Sequence, residues 1–114
     1  MKDDILYLVH ILTCISRVQH YVLEGQDSFM ESTLISDAVI RNLQVLGESA
    51  RRLSEETKAS RSEVNWRGII GFRNVMVHNY LDITLARVWD VVELQLPVLK
   101  DQIETMLQNL EESP

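Results

Sequence analysis

Between Arg73 and Tyr80 the chain reads RNVMVHNY. That segment sets a guanidinium (Arg73), a carboxamide (Asn74), an imidazole (His78) and a phenol (Tyr80) at the end of an apolar run. A guanidinium offers a planar fork of donors that matches phosphate oxygens. Imidazole changes charge near neutrality, so it can take up or release a proton. Together these groups could grip a phosphodiester and move a proton, as a cleavage with a neighbouring hydroxyl as internal nucleophile would need. His78 would serve as general base toward that hydroxyl or as general acid toward the leaving 5′-oxygen. Arg73 would hold the non-bridging oxygens and stabilise charge building in the transition state. Asn74 would position the substrate or His78, and Tyr80 would bond phosphate. The plainer alternatives are a buried salt bridge for Arg73 and a helix C-cap for His78.

The elements that carry these groups follow from spacing. If Asn65–Val77 is helical, Trp66, Ile69, Ile70, Arg73 and Val77 share one stripe. Gly68, Phe72, Val75 and Met76 cover much of the remaining surface, which predicts a helix buried in a domain or an interface. On a continued helix His78 lies roughly 140° from Arg73, at about 100° per residue. For both to reach one pocket, the chain must leave helical geometry near Val77 or His78. His78 then sits at a helix C-terminus, where the dipole favours a protonated ring and Asn79 suits a turn.

RNVMVHNY matches the R-x4-H-x-Y signature of the HEPN superfamily in the form carried by HepT-like toxins. Two further blocks, AVIRNLQVLGESARRLS (Ala38–Ser54) and VWDVVELQLPVLKDQI (Val88–Ile103), extend the likeness, as does the wider NWRGIIGFRNVMVHNY (Asn65–Tyr80). The motif alone recurs by chance, whereas the three blocks in order are specific. The resemblance implies an up-down four-helix bundle, a homodimer with paired motifs and metal-independent endoribonuclease activity. It also implies a toxin–antitoxin pair whose partner is a minimal, MntA-like nucleotidyltransferase that adds AMP to Tyr80. AMP there would put bulk and negative charge where RNA phosphate must sit. A homodimer would answer the thinness of one motif by offering two imidazoles and two guanidiniums across a two-fold axis.

The length of 114 residues predicts one domain, 1–114, with a single modest core. No run of apolar residues approaches a membrane span, and MKDDILYLVH lacks the features of a signal peptide. A lone cysteine, Cys14, fits a reducing cytoplasm and reads as a small core residue. The net charge of −6 is unevenly spread. Residues 1–40 carry two cations against six acids, and residues 88–114 one cation against six. Residues 41–87 carry eight cations against five acids, so basic charge gathers around the motif. A local positive surface can hold a few phosphates on an acidic chain. The acidic ends would repel non-cognate nucleic acid, dock a basic partner, or simply be solvated.

Four helices are predicted. The first spans Met1–Glu24, on a stripe of Ile5, Leu8, Val9, Leu12, Ile15, Val22 and Leu23, and stops at Gly25. His10 and His20 lie on it without metal-ligand partners and read as surface or packing residues. The second begins with a Ser28–Glu31 capping box and buries Leu34, Ile35, Ala38, Val39, Val45, Leu46, Ala50 and Leu53. Asn42 interrupts that stripe and should meet a polar group of another helix. Gly47 suggests a neighbouring backbone in close approach. Glu48, with Arg41 and Arg52 on a charged face, is either part of a surface ion-pair ladder or orients an arginine near the cleft.

Lys58–Asn65 reads as a surface connection, with Asn65 capping the third helix. The fourth helix starts at Asp82 or Thr84 and runs on Leu85, Val88, Trp89, Val92, Leu96, Leu99, Ile103, Met106, Leu107 and Leu110. Pro97 predicts a kink in it, and EESP a frayed end.

The reading is therefore an all-α endoribonuclease with Arg73 and His78 catalytic, and Asn74, Tyr80 and Glu48 positioning the substrate. No cofactor is called for. Asp82 is the nearest acid to the motif, too few for two-metal chemistry, and no Gly-Ser loop suggests a nucleotidyltransferase in this chain. The rival reading is a non-catalytic helical dimer that serves as binding partner and modification substrate of a nucleotidyltransferase. A small-nucleotide sensor using the same cleft is a third.

Overall fold

A computed structural model describes residues 2–112, and every regular element among them is helical. Helix α1 (Lys2–Tyr21) is followed by the short α2 (Gln26–Glu31) and the long α3 (Thr33–Arg52). A short α4 (Glu55–Ser60) leads to α5 (Trp66–His78), and a single 3-10 turn spans Tyr80–Asp82. Then α6 (Leu85–Asp90), a π turn (Val91–Gln95) and α7 (Leu96–Glu112) form one uninterrupted run. Ser113 and Pro114, half of the end expected to fray, lie outside the described residues, while Glu111 and Glu112 are helical.

Helix α3 is the central element, flanked by α1 on one side and α5 on the other. Both neighbours run antiparallel to it. Asp4 at the start of α1 bonds Ser54, just past the end of α3. Tyr80 reaches Asp37 near the start of α3, while Arg73 reaches Glu48 near its end. On α1 the buried stripe is Leu8, Ile11, Cys14, Ile15 and Val18, whereas Val9 on the helix and Leu23 past its end are exposed. Val39, Leu43, Leu46 and Ala50 from α3 meet Val88, Val92, Leu96, Leu99 and Ile103 from the C-terminal run in the same core.

The predicted second helix is broken at Ser32. That residue is extended and its hydroxyl accepts from Ile35 N at 3.2 Å, so it is the cap, and Ser28 lies inside α2. Burial of Phe29 against Trp89, ring centroids 5.4 Å apart, gives α2 its own docking direction. Leu34, in the first turn after the break, is left 81% exposed instead of buried. The preceding turn needs Gly25, whose φ of 96° is ordinary only for glycine.

The expected surface connection at Lys58–Asn65 overlaps α4, which Ser54 caps through Thr57 N. Its anchor is Asp4, 3% exposed, which accepts from Ser54 N (2.9 Å), Ser54 Oγ (2.7 Å) and Thr57 Oγ1 (2.6 Å). Asn65 caps α5 as expected, and of the two candidates for α6, Asp82 and Thr84, it is Thr84 that caps. Asn42 differs from expectation: its amide donates to Ala38 O at 2.9 Å, one turn back on its own helix. Near Pro97, which cannot donate to Glu93, the helix widens, with Leu96 N bonding Val91 O in place of the usual partner.

Candidate active site

The predicted all-round burial of α5 does not occur within the protomer. Only Trp66 and Met76 are buried there, and Val75 and Val77 are exposed. The helix lies on α3 through a tight crossing at Gly47. A methyl group on Gly47 would collide with Cβ of Arg73, so the missing side chain is what lets the two helices approach. Gln44 Nε2 donates to Met76 O at 3.2 Å one turn further along the same contact.

This approach delivers Arg73 to Glu48. Arg73 Nη2 lies 3.0 Å from Glu48 Oε2, and Arg73 Nη1 donates to Asn74 Oδ1 at 2.9 Å. Arg73 Nε is buried and finds no acceptor among the described residues. Glu48 also accepts from Arg51 Nε (3.1 Å), Arg51 Nη2 (2.7 Å) and Arg52 Nε (3.0 Å). Those bonds, from Arg51 first and then Arg52, with the Arg73 charge added, hold the Glu48 carboxyl down at about 2. Glu48 therefore stays an anion throughout the physiological range and fixes one edge of the Arg73 guanidinium.

Arg73 and Glu48 open into a cleft of about 360 Å³ over α3. Arg41, Gln44, Ser49 and Arg52 form its floor, Val77 continues the α5 wall, and Tyr7 and His10 form the α1 wall. Three guanidiniums thus face one carboxylate there, in a chain whose net charge is −6. Such focusing makes the cleft a phosphate-attracting surface despite the acidic whole.

Helix α5 stays regular through His78, and Asn79 ends it with φ −130°, its N–H bonding Val75 O at 2.8 Å. His78 is consequently exposed and does not line the Arg73 cleft. His78 ends α5 and Asn79 caps it, as expected, yet this end does not bring the ring into the Arg73 cleft. Tyr80 is also exposed, its hydroxyl 3.5 Å from Asp37 Oδ1. The fold thus joins Glu48, Arg73 and Asn74, seats Tyr80 by Asp37, and leaves His78 facing outward.

Spacing gives Tyr7 no role and makes His10 only a surface or packing residue. Their place in the cleft arises from the α1–α3 crossing, and nothing local in the sequence marks it. Among the described residues no cluster of His, Cys, Asp or Glu could hold a metal ion, and no helix is long and apolar enough to cross a membrane.

An all-helical chain with an arginine-centred cleft and the R-x4-H-x-Y segment defines a class, and residues 11–106 match the family described as Ribonuclease HepT-like. The chain belongs to that family. It is 30% identical over 109 residues to a protein of Caldanaerobacter subterraneus subsp. tengcongensis named as a candidate RNase, covering 95% of this chain and 97% of that one. A Methanocaldococcus jannaschii protein, named gamma-glutamylcyclotransferase and candidate RNase, is 29% identical over 113 residues. That alignment takes in 98% of this chain but 51% of the archaeal protein, so the chain spans about half of that relative's length. A Thermococcus cleftensis protein named as a candidate ribonuclease HepT is 26% identical over 101 residues, covering 88% of this chain and 92% of that one. No solved structure matches the chain.

Proposed function

We propose that this chain is a metal-independent endoribonuclease, the toxin of a toxin–antitoxin pair, acting as a homodimer of up-down four-helix bundles. The observation that carries the reading is Arg73, clamped by Glu48 in a cleft that also holds Arg41 and Arg52. A guanidinium held on one edge by a permanent anion is preorganised, and its remaining donors serve a phosphate without reorganisation in the transition state. His78 supplies proton transfer to the 2′-hydroxyl or the leaving 5′-oxygen. Because His78 lies outside its own protomer's cleft, pairing two copies is the route by which the His78 imidazole reaches an Arg73. Exposed Val75, Val77, Tyr80 and Leu81 around His78 supply apolar surface for that pairing. Tyr80, exposed at the end of the motif segment, is the acceptor for AMP from a minimal nucleotidyltransferase antitoxin.

The test is cleavage of single-stranded RNA by the purified chain in the presence of a chelator. Wild type should leave cyclic or 3′-phosphate ends, and folded Arg73→Ala and His78→Ala should each lose about 100-fold or more of the rate. Undiminished cleavage by both variants, or a strict need for magnesium, overturns the nuclease reading. No cleavage by any form, with retained binding to the nucleotidyltransferase, would favour the non-catalytic partner instead.

A further inference from the structure

We propose that Tyr7 and His10 on α1 form a nucleobase platform, which takes one unstacked base of single-stranded RNA beside the phosphate held by Arg73. The identity of the polymer rests on the nuclease reading, whereas the place of the platform rests on how the cleft is built.

The cleft is asymmetric. Its α5 wall and α3 floor carry the guanidiniums, and its α1 wall is made by the two aromatic rings alone. The rings meet edge to face, with centroids 6.3 Å apart and planes at 74°. Tyr7 is half-buried and lines the cleft together with Arg52 of the cationic floor. His10 is exposed, so its ring stays open to the cleft while Tyr7 braces it from the side. A phosphate-gripping floor facing an aromatic wall is the arrangement by which unpaired nucleotides are held, with the backbone tracked by cations and the bases by stacking.

Size selects the ligand further. About 360 Å³ lies near the lower end of small-molecule sites, which start at roughly 300 Å³. That is room for about one nucleotide unit, and a duplex, whose base faces are already covered, has none to stack there. The base must therefore come from an unpaired stretch.

Stacking requires a flat ring and no exchangeable proton, and this separates the platform from a second acid–base group at the same position. The probe is a short single-stranded RNA whose 2′-hydroxyls are all methylated, so that it binds without 2′-OH attack. Binding is read by fluorescence anisotropy, with thermal unfolding as the check that each variant is folded. His10→Ala should weaken binding roughly tenfold or more, His10→Phe should restore most of it, and His10→Gln should behave like His10→Ala. The same oligonucleotide with abasic sites should bind wild type and His10→Ala alike, since only phosphate contacts remain. Unchanged binding by His10→Ala, rescue by Gln in place of Phe, or an equal loss with the abasic probe overturns the proposal. Because the probe cannot be cleaved, this pattern can hold even if the nuclease reading fails, and can fail while cleavage stands.

Discussion

The carboxylate of Glu48 and the guanidinium of Arg73 meet at 3.0 Å across the α3–α5 crossing, with side chains 27% and 21% exposed. Two further arginines bond the same carboxylate, so Glu48 organises a cationic cluster around itself. Glu48→Ala should lower cleavage by about tenfold or more by releasing Arg73, at the scale of lost positioning. Glu48→Gln, which keeps an acceptor at the same place, should lose less. The stability effect has a definite sign. A carboxyl held at about 2 in the fold contributes above its usual value of 4.5, and the contribution fades as pH falls toward 2. Acid unfolding of Glu48→Gln followed by circular dichroism should therefore lack part of the wild-type loss between those limits.

Gly47→Ala separates helix propensity from packing. Alanine is the better helix former by about 1 kcal/mol, yet its methyl would strike Arg73 Cβ. Pushing α5 off α3 should cost about 1–3 kcal/mol, at the scale of overpacking, and should reduce cleavage as well. The control is Gly71→Ala on α5, where a Cβ meets nothing within 4 Å. That change should stabilise by about 0.5–1 kcal/mol. Urea titration of both variants gives the comparison, and a stabilised Gly47→Ala would show that the crossing tolerates a side chain.

What the sequence disclosed and what it hid divide by range. The caps at Asn65 and Thr84, the close approach at Gly47 and the core character of Cys14 are local signals, legible from one residue and its neighbours. The break at Ser32 was not legible, because Ser28 and Ser32 both offer a capping hydroxyl and the choice follows from where Phe29 finds Trp89. Glu48 could be read as a ladder member or as an orienting group, and its contact with Arg73 depends on a helix crossing. His10 is the extreme case. Its spacing on α1 is that of any surface residue, and only the packing of α1 on α3 brings it beside Arg41 and Arg73. The motif itself was visible, and so was His78 at the end of α5. Its place outside the Arg73 cleft follows from α5 staying helical from Arg73 through His78, which sets the two roughly 140° apart.

Asp4 joins the start of α1 to the turn before α4. Burial pushes its carboxyl up, but the bonds from Thr57 and from Ser54 outweigh that and hold it below its usual value of 3.8. Its contribution is thus present above about that pH and is lost below it. Asp4→Asn leaves donors facing a weaker acceptor and should cost about 1–3 kcal/mol at neutral pH. Thermal melts at pH 7 and at pH 3 should show a smaller difference between variant and wild type at the lower pH.

Tyr80 is exposed, with its hydroxyl beside Asp37 at the edge of the motif. A protein modified there needs no unfolding for the transferase to reach the phenol. Incubation with a minimal nucleotidyltransferase of the proposed antitoxin class and ATP should add mass in AMP steps, localised to Tyr80 by fragmentation, and Tyr80→Phe should abolish the addition. AMP found only on other residues would remove Tyr80 from the proposed neutralisation.

The separation of Arg73 and His78 within one protomer makes the shared site testable without a structure of the dimer. If each working site takes Arg73 from one copy and His78 from the other, Arg73→Ala and His78→Ala chains fail for different reasons. In a mixed dimer one site inherits both lesions and the other inherits neither. Random pairing of equal amounts puts half of the chains in mixed dimers, each with one intact site. Co-refolding the two inactive variants should therefore restore about a quarter of the wild-type cleavage per chain, on the symmetry argument for a two-fold interface. If each site were built within one protomer, both sites of a mixed dimer would stay broken and the mixture would remain as inactive as its parts.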